Sequence, residues 1–258
     1  MSPLYACFLF AAGALGGGLN AVAGGGILMT LPALLVGGAN PIAANATSTV
    51  ALWPGSLASV GAYREELKGQ HRRLIVPLGA ASVAGGGLGA ALLLHTSQAA
   101  FSRLIPYLLL AATLLFAFGK PLGAWLHRHA EERPLPDERP RFLPMITAMQ
   151  FAIAVYGGYF GGGSILMLAS LALIGMDNIH MMNALRTVLV TCVTGAAVVS
   201  LVLGGAVLWP QAVLLTLGAA TGGYAGARWA RRLPPELVRR FVILVGSAIT
   251  LYFFQRTW

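Results

Sequence analysis

One arginine of this sequence lies inside a hydrophobic segment, among small polar residues. Arg186 is the sixth residue of the apolar run 181–203, and Asn183 and Thr187 flank it. An arginine inside a membrane helix costs roughly 2.5–3.5 kcal/mol on insertion scales, so it is retained for a function or has a partner. Its planar guanidinium binds oxyanions through paired hydrogen bonds, to which asparagine and threonine add neutral donors. These residues favour the binding of an anion; the alternative is that Arg186 extends to the membrane surface.

A second copy of this polar pattern stands 138 residues earlier in the chain. Sliding the sequence over itself by that distance aligns 24–50 with 162–188, and 12 of the 27 positions are identical. Three polar pairs coincide in the alignment: Asn45 with Asn183, Ser48 with Arg186, and Thr49 with Thr187. A further match, at an offset of 137, aligns the glycines of 85–90 with those of 222–227. The sequence therefore contains a duplicated unit, whose paired asparagines either bind a ligand or join two helices by a hydrogen bond.

A glycine triplet precedes a short apolar run in each copy. The runs, 27–37 and 165–175, have eleven residues each, whereas a full membrane span needs about 20. Because glycine lets a helix stop and restart, we expect broken or re-entrant helices at both places. Helix starts of this kind offer free N–H groups to an anion. The candidate substrate-binding backbone belongs to Gly24, Gly25, Gly26, Gly162, Gly163 and Ser164.

The composition of the chain is that of an integral membrane protein. Hydrophobic residues make up 57% and charged residues 10% of the 258 positions, and no charge precedes Arg64. Soluble domains carry about 25% charged residues, so this composition excludes a soluble, fibrous or disordered chain. The net charge of +9 comes from short basic clusters between apolar runs, a pattern that points to cytoplasmic loops and argues against nucleic-acid binding.

Ten apolar segments predict an all-α polytopic fold, built from two repeats of five segments each. The first repeat covers 1–119, a connecting loop rich in charge and proline covers 120–142, and the second repeat covers 143–258. The tryptophans are predicted to be anchors at the membrane interface: Trp53, Trp125, Trp209, Trp229 and Trp258.

The distribution of charge over the turns predicts that the two repeats have opposite orientations. The turn 64–73 carries four Lys or Arg, whereas its equivalent at 202–211 carries no charge. The next pair reverses the pattern, since 95–102 lacks Lys and Arg and 228–240 carries five. Positive loops face the cytoplasm, so equivalent loops lie on opposite sides, as in transporters with inverted-topology repeats. Both termini are then predicted to be non-cytoplasmic.

The sequence offers few residues for proton coupling, metal binding or catalysis. Asp177 and His180 are the candidates for proton coupling, and a helix-capping role for Asp177 is equally compatible. Cys7 and Cys192 lack metal-type spacing, so neither a metal nor another cofactor is predicted. No nucleophile or acid–base pair stands at membrane depth, and we therefore do not predict an enzyme.

The two glycine triplets, the short apolar runs and the motifs that follow them resemble the TauE/SafE-type sulfite-exporter family, also called toluene-sulfonate uptake permeases. The motifs are Ala-Asn-Ala-Thr-Ser-Thr at 44–49 and Met-Asn-Ala-Leu-Arg-Thr at 182–187. The second copy departs from the family pattern, with Leu185 and Arg186 where Thr-Ser is expected. The resemblance implies a bacterial inner-membrane carrier for sulfite, an organosulfonate or a related organic anion.

The prediction is thus a secondary transporter that binds a small anion and exposes it alternately to the two sides of the membrane. An uncoupled anion channel and a carrier for carboxylate-type anions are the alternatives. The partners predicted are the anionic substrate and membrane lipid, with no nucleic acid, and a homodimer is left open. The direction of transport and the coupling ion are not predicted.

Overall fold

The structure, a computed structural model, describes residues 1–23, 25–62, 72–130, 143–161, 164–173, 179–230 and 235–257. Within these ranges the chain forms helices and no strand, which confirms the all-α prediction. The helices are α1 (Pro3–Ala23), α2 (Ile27–Val36), α3 (Pro41–Ala62), α4 (Arg72–His95), α5 (Gln98–Ala130), α6 (Leu143–Phe160), α7 (Ser164–Leu173), α8 (Ile179–Leu203), α9 (Trp209–Ala230) and α10 (Pro235–Thr257).

Four of these helices are long and apolar enough to cross a membrane, through the stretches Pro3–Asn20, Leu74–His95, Leu143–Phe160 and Met181–Leu203. Helix α3 is as long as these, with 22 residues, but polar side chains interrupt its apolar sequence. Its first half is buried against other helices, so these side chains are shielded from the outside. Large apolar side chains cover the outer surface, as contact with lipid requires: Leu4, Val76, Leu203 and Leu244.

The two short helices occupy the places where the glycine triplets predict them. Helices α2 and α7 have ten residues each, which corresponds to about 15 Å of helix, half the thickness of the hydrocarbon layer. Neither helix spans the membrane alone. The predicted connecting loop is partly helical, because α5 continues to Ala130, and its remaining residues, 131–142, lie outside the described residues.

Two helix pairs pack closely through glycine. Helix α1 lies on α9, where Gly13 meets Leu215 and Gly17 meets Ala219; helix α4 lies on α6, where Gly85 meets Ala154 and Gly89 meets Gly158. A Cβ atom at any of these glycines would overlap the neighbouring helix, so the small residue sets the distance between the axes. In both pairs the partner numbers rise together, and the helices are therefore parallel.

Two other pairs run in opposite directions. Helices α3 and α8 cross at Trp53, whose indole N–H donates to the Thr191 carbonyl at 3.4 Å. Trp53 also lies against Gly195 of α8, and three residues later on α3 the Ser56 carbonyl accepts the Thr191 hydroxyl at 3.3 Å. Helices α5 and α10 meet through the Tyr107 and Phe254 rings, 5.2 Å apart between centroids, and through Thr113 and Gly246. In both pairs, residue numbers rise along one helix while those of the contacting residues fall along the other, so both pairs are antiparallel.

A buried polar bond joins α4 to α6. The Gln150 amide donates to the Ser82 hydroxyl at 2.9 Å, and Ser82 donates to the Leu78 carbonyl at 2.7 Å. Both polar side chains are almost inaccessible, 2% and 0% exposed. In the equivalent pair, α1 and α9, Ala12 aligns with Gln150 and Ala219 aligns with Ser82. This polar link is therefore present in one of the two parallel pairs and not in the other.

Candidate functional site

The predicted site residues lie partly outside the described residues. Gly24, Gly162, Gly163 and Asp177 are outside them, and of His180 only the backbone, in the first turn of α8, is described. The others fall into three places: Gly25 and Gly26 before α2 and Ser164 at the start of α7; Asn45, Ser48 and Thr49 on α3; and Asn183, Arg186 and Thr187 on α8. We call the α3 set the Asn45 group and the α8 set the Arg186 group.

The start of α3 is fixed by its own sequence and by α5. Asn40 caps the helix, accepting the Ala43 N–H at 2.7 Å, and Pro41 occupies the first helical position, where a missing N–H costs nothing. Gln98, at the start of α5, donates to the Asn40 side chain and accepts the Ile42 N–H, both at 3.3 Å. The Asn45 group therefore stands in the second turn of a firmly held helix.

The Asn45 group is fully enclosed. Asn45 and Ser48 are 0% exposed and Thr49 is 5% exposed. The Asn45 side-chain amide donates to the Tyr159 carbonyl, in the last turn of α6, at 3.1 Å. Among the described residues, Oδ1 of Asn45 and Oγ of Ser48 have no hydrogen-bond partner. Thr49 uses its hydroxyl proton on the Asn45 carbonyl at 2.9 Å, which leaves the first two side chains as the available ones.

Gly161, the first residue of the second glycine triplet, lies against this group. Gly161 ends α6 with a φ of +77°, a left-handed conformation that side chains other than glycine rarely adopt. A Cβ at this position would lie 3.2 Å from the Thr49 hydroxyl and 2.6 Å from the end of the Ile27 side chain. Thr49 of the first copy thus lies next to Gly161 of the second copy.

Gly26, the last residue of the first glycine triplet, lies against α1 and α3. Gly25 and Gly26 are buried. A Cβ on Gly26 would lie 2.6 Å from the Gly16 carbonyl and 3.0 Å from Asn20. This residue is therefore needed for close approach of α2 to α1. Ser164, in the aligned position, begins α7 and is half-buried.

The Arg186 group has the same backbone pattern with greater exposure. Thr187 donates to the Asn183 carbonyl at 2.7 Å, which repeats the bond from Thr49 to Asn45. Asn183, Arg186 and Thr187 are all half-buried. The threonine hydroxyl protons of both groups are used within their own helices, so asparagine, serine and arginine are the better candidates to donate to a ligand.

The structure places the two groups on opposite sides of the crossing of α3 and α8. Asn45 precedes Trp53 by eight residues, and Asn183 precedes Thr191 by eight residues. Each step along a helix rises 1.5 Å, so each asparagine lies about 12 Å from the crossing, in opposite directions because the helices are antiparallel. The six predicted residues therefore form two separate groups, about 24 Å apart between the asparagines. Their role in binding stays a prediction.

Trp53 separates the two groups, and its prediction as an interfacial anchor is wrong. The residue stands in the middle of α3, its indole is half-buried, and it lies against Gly195, where a Cβ would approach Nε1 to 3.2 Å. Thr191 adds a bond from its hydroxyl to the Ser56 carbonyl at 3.3 Å. Its indole therefore packs against α8 in the middle of a helix and does not lie at a helix end. The sequence carries one indication of this contact, because Trp53 and Thr191 are equivalent residues at the 138-residue offset.

Some residues near the two polar groups have no equivalent in the other copy, so the repeat alignment does not identify them. Asn20 donates to the Ser56 hydroxyl at 3.4 Å and joins α1 to α3 on the Arg186 side of the crossing. Its aligned position is Gly158, so the alignment of the copies does not reveal it. Tyr159 contributes its backbone carbonyl; every residue has one, so the residue type does not reveal this contact. Tyr156, one turn earlier, has a buried hydroxyl without a partner among the described residues.

Buried polar side chains inside a bundle of apolar helices, together with half-length helices after glycine breaks, define the class of membrane transport proteins. The family described as sulfite exporter TauE/SafE matches residues 9–253. This chain therefore belongs to the TauE/SafE family and is a multi-pass membrane protein of a transporter family.

Relatives with similar sequences are named as transporters. A "Probable membrane transporter protein" of Haemophilus influenzae is 29% identical over 244 residues, which cover 94% of this chain and 91% of the relative. "Probable membrane transporter protein ORF9" of a Sinorhizobium species is 27% identical, over 95% of this chain and 90% of the relative. "Probable membrane transporter protein YfcA" of Escherichia coli K12 is 26% identical, over 97% and 90%. No solved structure matches the chain significantly.

Proposed function

We propose that this protein is a secondary transporter that moves a small oxyanion, sulfite or an organosulfonate, across the bacterial inner membrane by alternating access. The observation that carries the proposal is the antiparallel crossing of α3 and α8, with a polar group on each side of it. Each group would then bind substrate that arrives from one side of the membrane, and Trp53 lies between the two groups.

Two inverted repeats of five helices account for the packing. The alignment pairs α1 with α6, α3 with α8, α4 with α9 and α5 with α10. Exchanging the copies converts the contact of α1 with α9 into the contact of α6 with α4, and both are parallel glycine contacts. The helices that contact their own equivalents, α3 with α8 and α5 with α10, are antiparallel, as a two-fold axis in the membrane plane requires.

The charges favour an anion. Arg186 brings a positive charge into α8, and among the ten helices the sequence has a carboxylate only at Glu236, at the start of α10. Sites for hard cations are built from carboxylate and carbonyl oxygens, whereas guanidinium, amide and hydroxyl groups donate to oxyanions. Sulfite or an organosulfonate is the substrate class that follows when this chemistry is combined with the family description.

The two groups differ in accessibility, which supports alternating access. The basic turn 64–73 follows α3 and is assigned to the cytoplasm by its charge, with both termini on the other side. The Arg186 group lies on the cytoplasmic side of the crossing and is half-buried, whereas the Asn45 group on the opposite side is enclosed. This conformation is closed toward the outside. Rocking of the two copies about the crossing would exchange the accessibilities.

Transport by the purified protein in liposomes tests the proposal. Wild type should take up labelled sulfite and show accelerated exchange when sulfite is also inside, a property of carriers and not of channels. Arg186→Ala should lower the rate roughly 10- to 100-fold, the loss of one or two charge-assisted hydrogen bonds, with Arg186→Lys between the two. Arg103→Ala, at an exposed arginine of α5, is the matched control. Unchanged sulfite transport by Arg186→Ala at normal membrane levels would overturn the assignment.

A further inference from the structure

The Asn45 group contains a hydrogen-bond acceptor that no described residue satisfies. One amide hydrogen of Asn45 goes to the Tyr159 carbonyl at 3.1 Å. This bond also settles the orientation of the amide, because the opposite orientation would set two oxygens against each other. Oδ1 therefore points away from Tyr159, is buried, and has no partner among the described residues. A buried acceptor in this condition is destabilising unless a donor reaches it.

A second unsatisfied oxygen stands on the same face of α3. Ser48 follows Asn45 by three residues, which places the two side chains one above the other. Its hydroxyl does not bond back to its own helix, unlike that of Thr49, and Oγ is buried without a partner among the described residues. The pair thus offers one oxygen that can only accept, Oδ1 of Asn45, and one hydroxyl that can donate, that of Ser48.

We propose that the Asn45 group binds the transported oxyanion in a form that carries its own hydrogen-bond donor: hydrogen sulfite, or a sulfonate that bears an N–H or O–H. Asn45 Oδ1 accepts that hydrogen, and Ser48 donates to one of the ligand's oxygens. A fully deprotonated oxyanion has no hydrogen to give, so it would leave Oδ1 as an unsatisfied buried acceptor. This inference rests on the proposed function and names the form of the substrate at one of its two groups.

The difference between the two groups supports this assignment. The position aligned with Arg186 is Ser48, so the enclosed group has no arginine to neutralise a second negative charge. A doubly charged ligand is costly to enclose without a counter-ion, and a proton carried by the ligand lowers its charge. Helices α3 and α6, which form the group, contain no carboxylate or histidine that could hold this proton instead.

Two sulfonates of the same shape and charge test the inference. Sulfamate and methanesulfonate are both monoanions, and they differ in having an NH₂ or a CH₃ group on sulfur. In liposomes with wild-type protein, sulfamate should inhibit labelled sulfite uptake at a roughly three- to tenfold lower concentration, which corresponds to one hydrogen bond. Asn45→Leu, which removes the acceptor at similar volume, should bring the ratio to about one. Ser59→Ala, later on α3, should keep the wild-type ratio.

The wild-type protein alone can reject the inference, whereas Asn45→Leu is needed to assign a preference to Asn45. Equal inhibition by the two compounds would overturn it, as would a larger effect of methanesulfonate; this is the result expected if only a buried water meets Oδ1. Sulfite uptake that rises with the hydrogen sulfite fraction as the pH falls supports it. Sulfite transport that persists while the ratio is one rejects the inference and keeps the proposed function, whereas a wild type that transports no sulfite rejects the proposed function.

Discussion

Replacing Trp53 by alanine should convert the transporter into a leak. Its indole stands where α3 and α8 cross, with Nε1 3.4 Å from the Thr191 carbonyl, and it covers Gly195. Ser48 and Arg186 each lie five residues from the crossing, so a ligand passing between them travels about 15 Å along the helices, and the indole lies halfway. Alanine at this position removes the ring and opens the space between the two groups.

The stability cost of this change is worked from burial. Truncation of a fully buried tryptophan to alanine costs about 3–5 kcal/mol. Trp53 is half-buried, so roughly 2 kcal/mol is expected. Trp53→Phe keeps an aromatic ring at the crossing and loses the bond to Thr191, worth about 0.5–1.5 kcal/mol. Both variants should therefore fold, and alanine alone should open the path.

The assay compares concentrative uptake with passive efflux in the same liposomes. Trp53→Ala should lose accumulation of sulfite and release preloaded sulfite faster than wild type when no ion gradient is present. Trp53→Phe should keep accumulation. Trp209→Ala is the control, since this tryptophan is 55% exposed at the start of α9. Normal accumulation by Trp53→Ala would refute the reasoning, because the crossing would then not lie on the path of the substrate.

Two further predictions concern the packing and the orientation of the copies. Ser82→Ala leaves the buried Gln150 amide without its partner and should lower the free energy of unfolding by roughly 1–3 kcal/mol, whereas adding Gln150→Leu should restore most of it. Thermal unfolding in detergent measures both, and a double variant no more stable than the single one would contradict this account. Single cysteines placed in the turns 64–73 and 202–211 should react with a membrane-impermeant reagent from opposite sides; labelling from one side would refute the inverted arrangement.

The helices and their breaks could be predicted because hydropathy and glycine act locally. The apolar runs predicted α2 and α7 at the right places, since a run of eleven residues is short whatever surrounds it. Gly85, Gly89 and Gly222, which belong to the segments that align at the 137-residue offset, each meet the backbone of a neighbouring helix. Local composition does not fix which helix is the neighbour.

The separation of the site into two groups could not be predicted. The alignment shows that Asn45 and Asn183 are equivalent, but equivalence is compatible with one shared pocket or with two. The distance depends on where α3 crosses α8, and that point is set by the fit of the Trp53 indole against Gly195. Contacts of this kind join residues 142 positions apart, and a single sequence contains no record of them.

The replacement of serine by arginine between the copies follows from the same geometry. A guanidinium at position 48 would be buried without a carboxylate on α3 or α6, and an unpaired buried charge is far more costly than an unsatisfied hydroxyl. At position 186 the side chain is half-buried and water can reach part of it, so the charge is tolerated. Two arginines would also hold an anion at both ends and slow its release. Under the proposed function, one charged and one neutral group would let the protein hold the anion firmly at one group and release it readily from the other.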